Sequence, residues 1–181
     1  MKELLFSLLL LSSNYVLQAQ TEIPANSKNH SIDKYISNHP LAAGLVRIGK
    51  EGIETGDNKV LDAYFSDDFV LHSASGDMNL TQLKALWINW RYALTDFTIT
   101  REKIMVEGNM VAAHTIFSGK FDKELKQSAV GPLKPTGKLV KFEVISMFRF
   151  NNAGLLAEEW VMNDGISFLN QFGVDLLKQK K

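Results

Sequence analysis

Asp164 is the carboxylate of this 181-residue sequence best placed for proton chemistry. It follows the segment Leu155 to Asn163, with Trp160 and Met162 just before it and Met147 and Phe148 in the preceding apolar segment. A carboxylate set against apolar and aromatic neighbours loses hydration and becomes a better proton acceptor. Local rules offer a second account. Asp164 precedes Gly165-Ile166-Ser167-Phe168-Leu169, and aspartate is a favoured helix N-cap. The two roles are compatible. His72 closes one short apolar segment and His114 lies in the middle of another. An imidazole there could hold a carbonyl oxygen or relay a proton, although packing or an ordinary hydrogen bond accounts for a strand histidine equally well.

Trp160, Trp87, Phe148 and Met162 are the candidates to line an apolar ligand cavity, while core packing uses aromatic residues in the same way. His72, His114 and Asp164 show no H-x-H or H-x-x-x-H spacing, so no metal site is expected. Glu158 and Glu159 are adjacent; in a strand they point to opposite faces and cannot work as a facing pair. The sequence has no cysteine, which removes disulfides, thiolate nucleophiles and thiolate metal sites. It carries no G-x-S-x-G, P-loop or dinucleotide fingerprint. Lys+Arg and Asp+Glu both number 20 and form no basic stripe, which argues against nucleic acid as a partner.

The elements that must position these residues can be read from periodicity. Lys2 and the apolar run Leu4 to Leu11 suit a signal peptide over residues 1–20, too short to span a bilayer. Export to the periplasm or beyond is therefore expected, with no membrane attachment after cleavage. A polar leader arm follows over residues 21–40, then one domain over 41–176 and a basic tail over 177–181. Helical spacing covers Leu41 to Thr55, and a second helix runs from Gly56-Asp57-Asn58 to Phe65. Thr81 is the expected cap of a third helix. Strands are expected over Phe69–His72, Phe97–Val106, Met110–Gly119, Leu139–Phe150 and Leu155–Asn163, with hairpin turns at Glu107-Gly108-Asn109 and Asn151 to Gly154. Three helices and an antiparallel meander make an α+β arrangement, a curved antiparallel sheet over helices, whose concave face suits a small molecule.

Taken in order, the motifs resemble the SnoaL-like polyketide cyclase family, also known as ester cyclases, of the nuclear transport factor 2-like superfamily. The resemblance rests on Gly56-Asp57, Asp68-Phe69-Val70-Leu71-His72, Asp96-Phe97 and Glu107 to His114. It continues through Gly131 to Lys138, Phe148-Arg149-Phe150, Glu158-Glu159-Trp160, Asp164 and Gln171-Phe172-Gly173-Val174. It implies a cone-shaped α+β barrel with a deep apolar pocket, paired as a homodimer through the open face of the sheet. It also implies an acid/base aspartate, which the E-x-W-x-x-x-D run from Glu158 places at Asp164. The chain departs from the pattern at His114, where arginine is common, at Asn109, and in the insert around Leu125 to Val130.

The expected activity is proton transfer on a small, largely apolar carbonyl compound, leading to cyclisation or isomerisation. Asp164 would exchange the proton and His72 or His114 would hold the carbonyl oxygen. Such chemistry needs acid/base help and electrostatic stabilisation but no cofactor. The alternative is a non-catalytic module of the same fold that binds a small ligand or pairs with a second copy.

Overall fold

The computed structural model describes residues 39–176; the expected signal peptide, the leader arm up to residue 38 and the tail 177–181 lie outside the described residues. Helix α1 (Pro40–Arg47) opens with a proline whose fixed φ suits a first helical turn. The His39 ring caps it by accepting the Leu41 N–H at 3.3 Å. It runs without a break into a π-helical stretch, Ile48–Glu54. The wider turn is crowded at Gly52, where a Cβ would lie 2.9 Å from Ile48 Cδ1 and from Leu61 Cδ2. Helix α2 (Asn58–Tyr64) is capped by Asp57, whose Oδ1 accepts from the Lys59 and Val60 N–H groups at 2.9 and 3.3 Å.

Strand β1 (Phe65–Ser73) follows α2 with no loop and begins four residues before the expected strand. A short strand β2 (Gly76–Asn79), which the periodicity does not reveal, pairs back onto it. Helix α3 (Leu80–Ala93) starts with a capping box between Asn79 and Gln82, at 3.0 and 2.9 Å, so Asn79 rather than Thr81 is the cap. Strands β3 (Leu94–Glu107), β4 (Met110–Phe121), β5 (Leu139–Phe150) and β6 (Leu156–Asn163) complete the sheet, and the short helix α4 (Gly165–Gln171) follows.

The class is α+β, a six-stranded sheet in the order β2-β1-β6-β5-β4-β3 with helices packed against it. The expected all-antiparallel sheet is corrected at one pairing. β1 runs parallel to β6, with Leu71 opposite Glu159 and His72 opposite Trp160. The other four pairings are antiparallel. β6 is therefore an interior strand, held on both sides.

Alternation along β5 is strict: Val140, Phe142, Val144, Ser146, Phe148 and Phe150 are buried, while Leu139, Lys141, Glu143, Ile145 and Met147 are exposed. β4 matches it, with Val111, Ala113, Thr115, Phe117 and Phe121 inward. Phe142 is the centre of an aromatic cluster, stacked on Phe117 at 5.1 Å and edge-on to Trp90 and Phe168 at 5.1 and 4.9 Å. A ring as fully buried as Phe142 or Phe117 contributes about 1.5–3 kcal/mol from lost apolar surface, while Trp90 and Phe168 are partly buried. Edge strand β3 breaks the alternation. Its register shifts twice, between Thr95 and Thr98 and between Glu102 and Met105, and Asp96 and Lys103 take positive φ of 54° and 50° at those points. Bulges of this kind bend a strand and re-aim its side chains.

Candidate functional site

The structure distributes the sequence-predicted site residues over two faces of the sheet. Asp164 is exposed at the end of β6, and its Oδ1 accepts the Ile166 and Ser167 N–H groups at 3.0 Å each. It is the N-cap of α4, and the apolar enclosure expected around it is not there. One step beyond the strand, its neighbours are solvent and a helix terminus.

His72 and His114 lie on the outer face. His72 meets Asp77 at 2.9 Å and Glu158 at 3.7 Å, and its ring stacks on Trp160 at 5.4 Å. His114 meets Glu143 at 2.9 Å and Glu102 at 4.0 Å. The hydrogen bond from His114, followed by the nearby charges of His114 and Lys141, holds the Glu143 carboxyl below its ordinary range. Across the register, His72, Trp160, Met147, Ala112 and Met105 form one row of this face, and Met162, Ile145, His114 and Glu102 form another. Met162 is 77% exposed. Only Phe148 and Trp87 of the predicted lining residues are inside, and Trp87 packs on Phe65 in the core. Among the described residues, no group of three or more His, Asp or Glu could hold a metal.

The inner face carries a polar cluster that sequence reasoning missed. Glu159 points inward from β6, flanked in register by Leu71 of β1 and Phe148 of β5. Burial raises its pKa; the Arg101 charge and the Ser146 hydroxyl offset part of that rise. The Ser146 hydroxyl, itself buried, approaches without completing a well-formed hydrogen bond. Arg101 comes from β3, opposite Thr115, and its guanidinium lies over the Phe148 ring at 5.2 Å from the centroid. Burial lowers its pKa, against the pull of Glu159 and Tyr64. Tyr64, at the last turn of α2, is pushed well above the ordinary phenol range by burial, with the positive charges of Arg101 and Arg47 acting the other way.

Several polar atoms here are sealed from solvent and have no hydrogen-bond partner among the described residues: Arg101 Nε and Nη1, the Tyr64 hydroxyl and Thr115 Oγ1. A buried donor without a partner costs about 1–3 kcal/mol. Such a cluster is expensive unless something else satisfies it. Gly49 of the π-helical stretch packs beside it, where a Cβ would lie 3.7 Å from Arg101 Nε. π-helical insertions are frequent at functional sites. One acid and several donors, held on strands in apolar surroundings, can exchange a proton and stabilise an oxyanion.

A signal for Glu159 did exist in the sequence. Glu158 and Glu159 were expected to point to opposite faces, and they do: Glu158 pairs with Arg149 outside while Glu159 is inside. Parity with the apolar set of β5 marks Glu159 as the inner one. Arg101 shares parity with Ile99 on β3, but a charged residue at that position reads as solvent-facing until the register places it opposite the buried Thr115. The bulge at Lys103 shifts only the positions beyond it.

Two clefts flank this interior. One, of about 260 Å³, lies between α1 and α2 and is lined by Arg47, Lys59, Val60, Ala63 and Tyr64. The other, of about 330 Å³, lies at the β3–β4 hairpin and includes Met105, Met110, Val111 and Met147.

Solved structures share the fold at low identity. IdmH of Streptomyces antibioticus, a candidate polyketide cyclase, is 21% identical with a TM-score of 0.60, covering 75% of this chain and 100% of its own. AclR of Streptomyces galilaeus, a candidate hydroxylase, is 19% identical with a TM-score of 0.59, covering 79% and 98%. A Catenulispora acidiphila protein with a ketosteroid isomerase-like fold, solved with trimethylamine, is 12% identical with a TM-score of 0.54, covering 75% and 93%. No protein of curated function matches the sequence. The family model of the SnoaL-like polyketide cyclases matches residues 43–172, and the chain belongs to that family.

Proposed function

We propose that this protein catalyses cofactor-independent proton transfer, a cyclisation or an isomerisation, on a small carbonyl compound, with Glu159 as the acid/base. The observation that carries this reading is an inward carboxylate whose pKa burial raises, beside donors that have no hydrogen-bond partner among the described residues. In its ionised form Glu159 takes a proton from the carbon next to the substrate carbonyl, becoming a neutral acid and leaving an enolate. Arg101 and the hydroxyls of Tyr64, Thr115 and Ser146 supply charge and donors for the enolate oxygen. The enolate carbon then attacks a second carbonyl of the same molecule, whose oxygen takes the proton back, or it is reprotonated at a different carbon.

Asp164 is the weaker choice, because it is exposed and its Oδ1 is engaged by two backbone N–H groups. The test is exchange of α-hydrogens for deuterium in simple ketones and oxo acids. Glu159→Gln should abolish it; exchange undiminished in that variant would overturn the assignment.

A second reading concerns the outer face. Met105, Ile145, Met147 and Met162 are exposed there on two adjacent rows, and contiguous apolar surface on a sheet face marks an interaction site. We propose that a second copy of the chain covers it. The protein would also act after export, on the signal-like pattern of Lys2 and Leu4 to Leu11. Mass spectrometry of the secreted chain should find a new N-terminus near Gln20; an intact Met1 would count against export.

A further inference from the structure

The charges of the interior and of the cleft beside it narrow the class of ligand. Burial disfavours the charged form of Glu159, while the guanidinium of Arg101 keeps its charge at any physiological pH. Arg101 Nε and Nη1 have no hydrogen-bond partner among the described residues. Glu159 acts on Arg101 through its charge, yet Nε and Nη1 stay without a hydrogen bond among the described residues. A buried donor left unpaired is costly, so those two donors can take the oxygens of a further, anionic group. Outside it, the cleft between α1 and α2 carries two more cations, Arg47 and Lys59. Among the described residues Arg47 pairs with Glu51, at 3.3 Å, and both side chains are exposed; such a pair is weak.

One residue belongs to both places. Tyr64 lines the cleft, and its phenol feels Arg47 on that side and Arg101 and Glu159 on the other. Its ring packs edge-on to Phe65 and Phe150, at 5.7 and 5.9 Å, at the boundary with the core. Cations therefore stand on both sides of Tyr64, Arg47 and Lys59 in the cleft and Arg101 in the interior, whereas the hairpin cleft is lined by no Lys or Arg among the described residues.

We infer that the ligand of this interior is an organic carboxylate, a small oxo acid rather than a neutral ketone or ester. It enters by the Arg47–Lys59 cleft and lodges its carboxylate on Arg101. This rests on the proton-transfer reading of the same interior and divides its donors. Arg101 holds the carboxylate, and the Tyr64, Thr115 and Ser146 hydroxyls are left for the reacting carbonyl oxygen.

The test uses 4-oxopentanoate and its methyl ester, which share a skeleton and differ in charge. The readout is the ¹⁵N Nε–H resonance of Arg101 in the intact protein. The acid should shift that resonance and bind at least about tenfold more tightly than the ester. Arg101→Gln should erase the preference. In case that variant fails to fold, the surface double variant Arg47→Gln/Lys59→Gln should weaken acid binding several-fold and reduce its salt dependence, with the Arg101 shift retained at saturation. Equal affinity for acid and ester, a shift confined to the cleft, or no shift with either compound overturns the inference. Measuring α-hydrogen exchange on the same samples separates the two proposals. Acid that binds on Arg101 without exchanging leaves the carboxylate site standing and removes the proton-transfer reading. Equal exchange of acid and ester does the reverse.

Discussion

The Arg101 guanidinium lies 5.2 Å from the centre of the Phe148 ring, two same-face steps along β5 from Val144, the residue level with it in the sheet. The side chain therefore leans along the inner face toward Glu159 instead of standing over its own register partner. A cation over an aromatic face is worth up to about 2 kcal/mol when desolvated. Phe148→Leu keeps the apolar volume but removes that seat. It should cost about 1–3 kcal/mol of stability and broaden the Arg101 side-chain resonances. Sharp, unshifted resonances in that variant would show that the ring does not position the guanidinium.

The two acidic candidates separate cleanly by substitution. Asp164→Ala removes an N-cap and should cost about 1 kcal/mol, with exchange activity close to that of the parent. Glu159→Gln should lower exchange by at least about 100-fold with the fold intact. The reverse pattern would return the acid/base role to Asp164.

Glu159 also sets a slope of stability against pH. Its folded-state pKa is raised above the ordinary value of 4.5, so the native state holds a proton that the unfolded chain releases. Stability is fully retained below that ordinary value and falls as pH rises from it through the raised folded value. Glu159→Gln removes this loss, so the variant should gain on the parent between acid and neutral pH. Glu143 acts in the opposite sense, since its folded pKa is lowered: its contribution is present above the ordinary value and disappears as pH falls through the lowered one. Denaturant titrations of the parent, Glu159→Gln and Glu143→Gln at several pH values read both slopes.

Gly52→Ala should destabilise the protein by about 1–3 kcal/mol, because the added Cβ would lie 2.9 Å from Ile48 and Leu61 carbons. Thermal unfolding measures the loss. An unchanged midpoint would mean that the π-helical stretch relaxes freely.

If a second copy covers the outer sheet face, Ile145→Lys and Met147→Glu should each convert a dimer to a monomer in sedimentation velocity. A protein that is already monomeric before substitution would remove that reading.

Much of the fold was legible because β4 and β5 alternate without interruption. The inward set of β5, together with the turn residues Asn151 to Gly154, marked the final hairpin. The site was less legible, for three physical reasons. The side chain of Asp164 lies one residue past the strand, and parity stops predicting direction where pleating stops. β2 has four residues with hardly any apolar content, so neither it nor the Asn79 cap left a periodic trace. The parallel β1–β6 pairing, which sets Leu71 beside Glu159, joins segments far apart in sequence and depends on no local pattern.

The bulge at Lys103 has a consequence for how this domain can vary. Inward positions on β3 step by two from Ile99 to Arg101 and then by three to Ile104. The hairpin end of β3 is thus out of phase with the half that carries Arg101, and the irregularity works as a clutch between them. Insertions or recombined hairpins beyond Lys103 can turn without rotating the guanidinium. A single-residue deletion between Ile99 and Arg101 would instead swing that charge to the outside of the sheet.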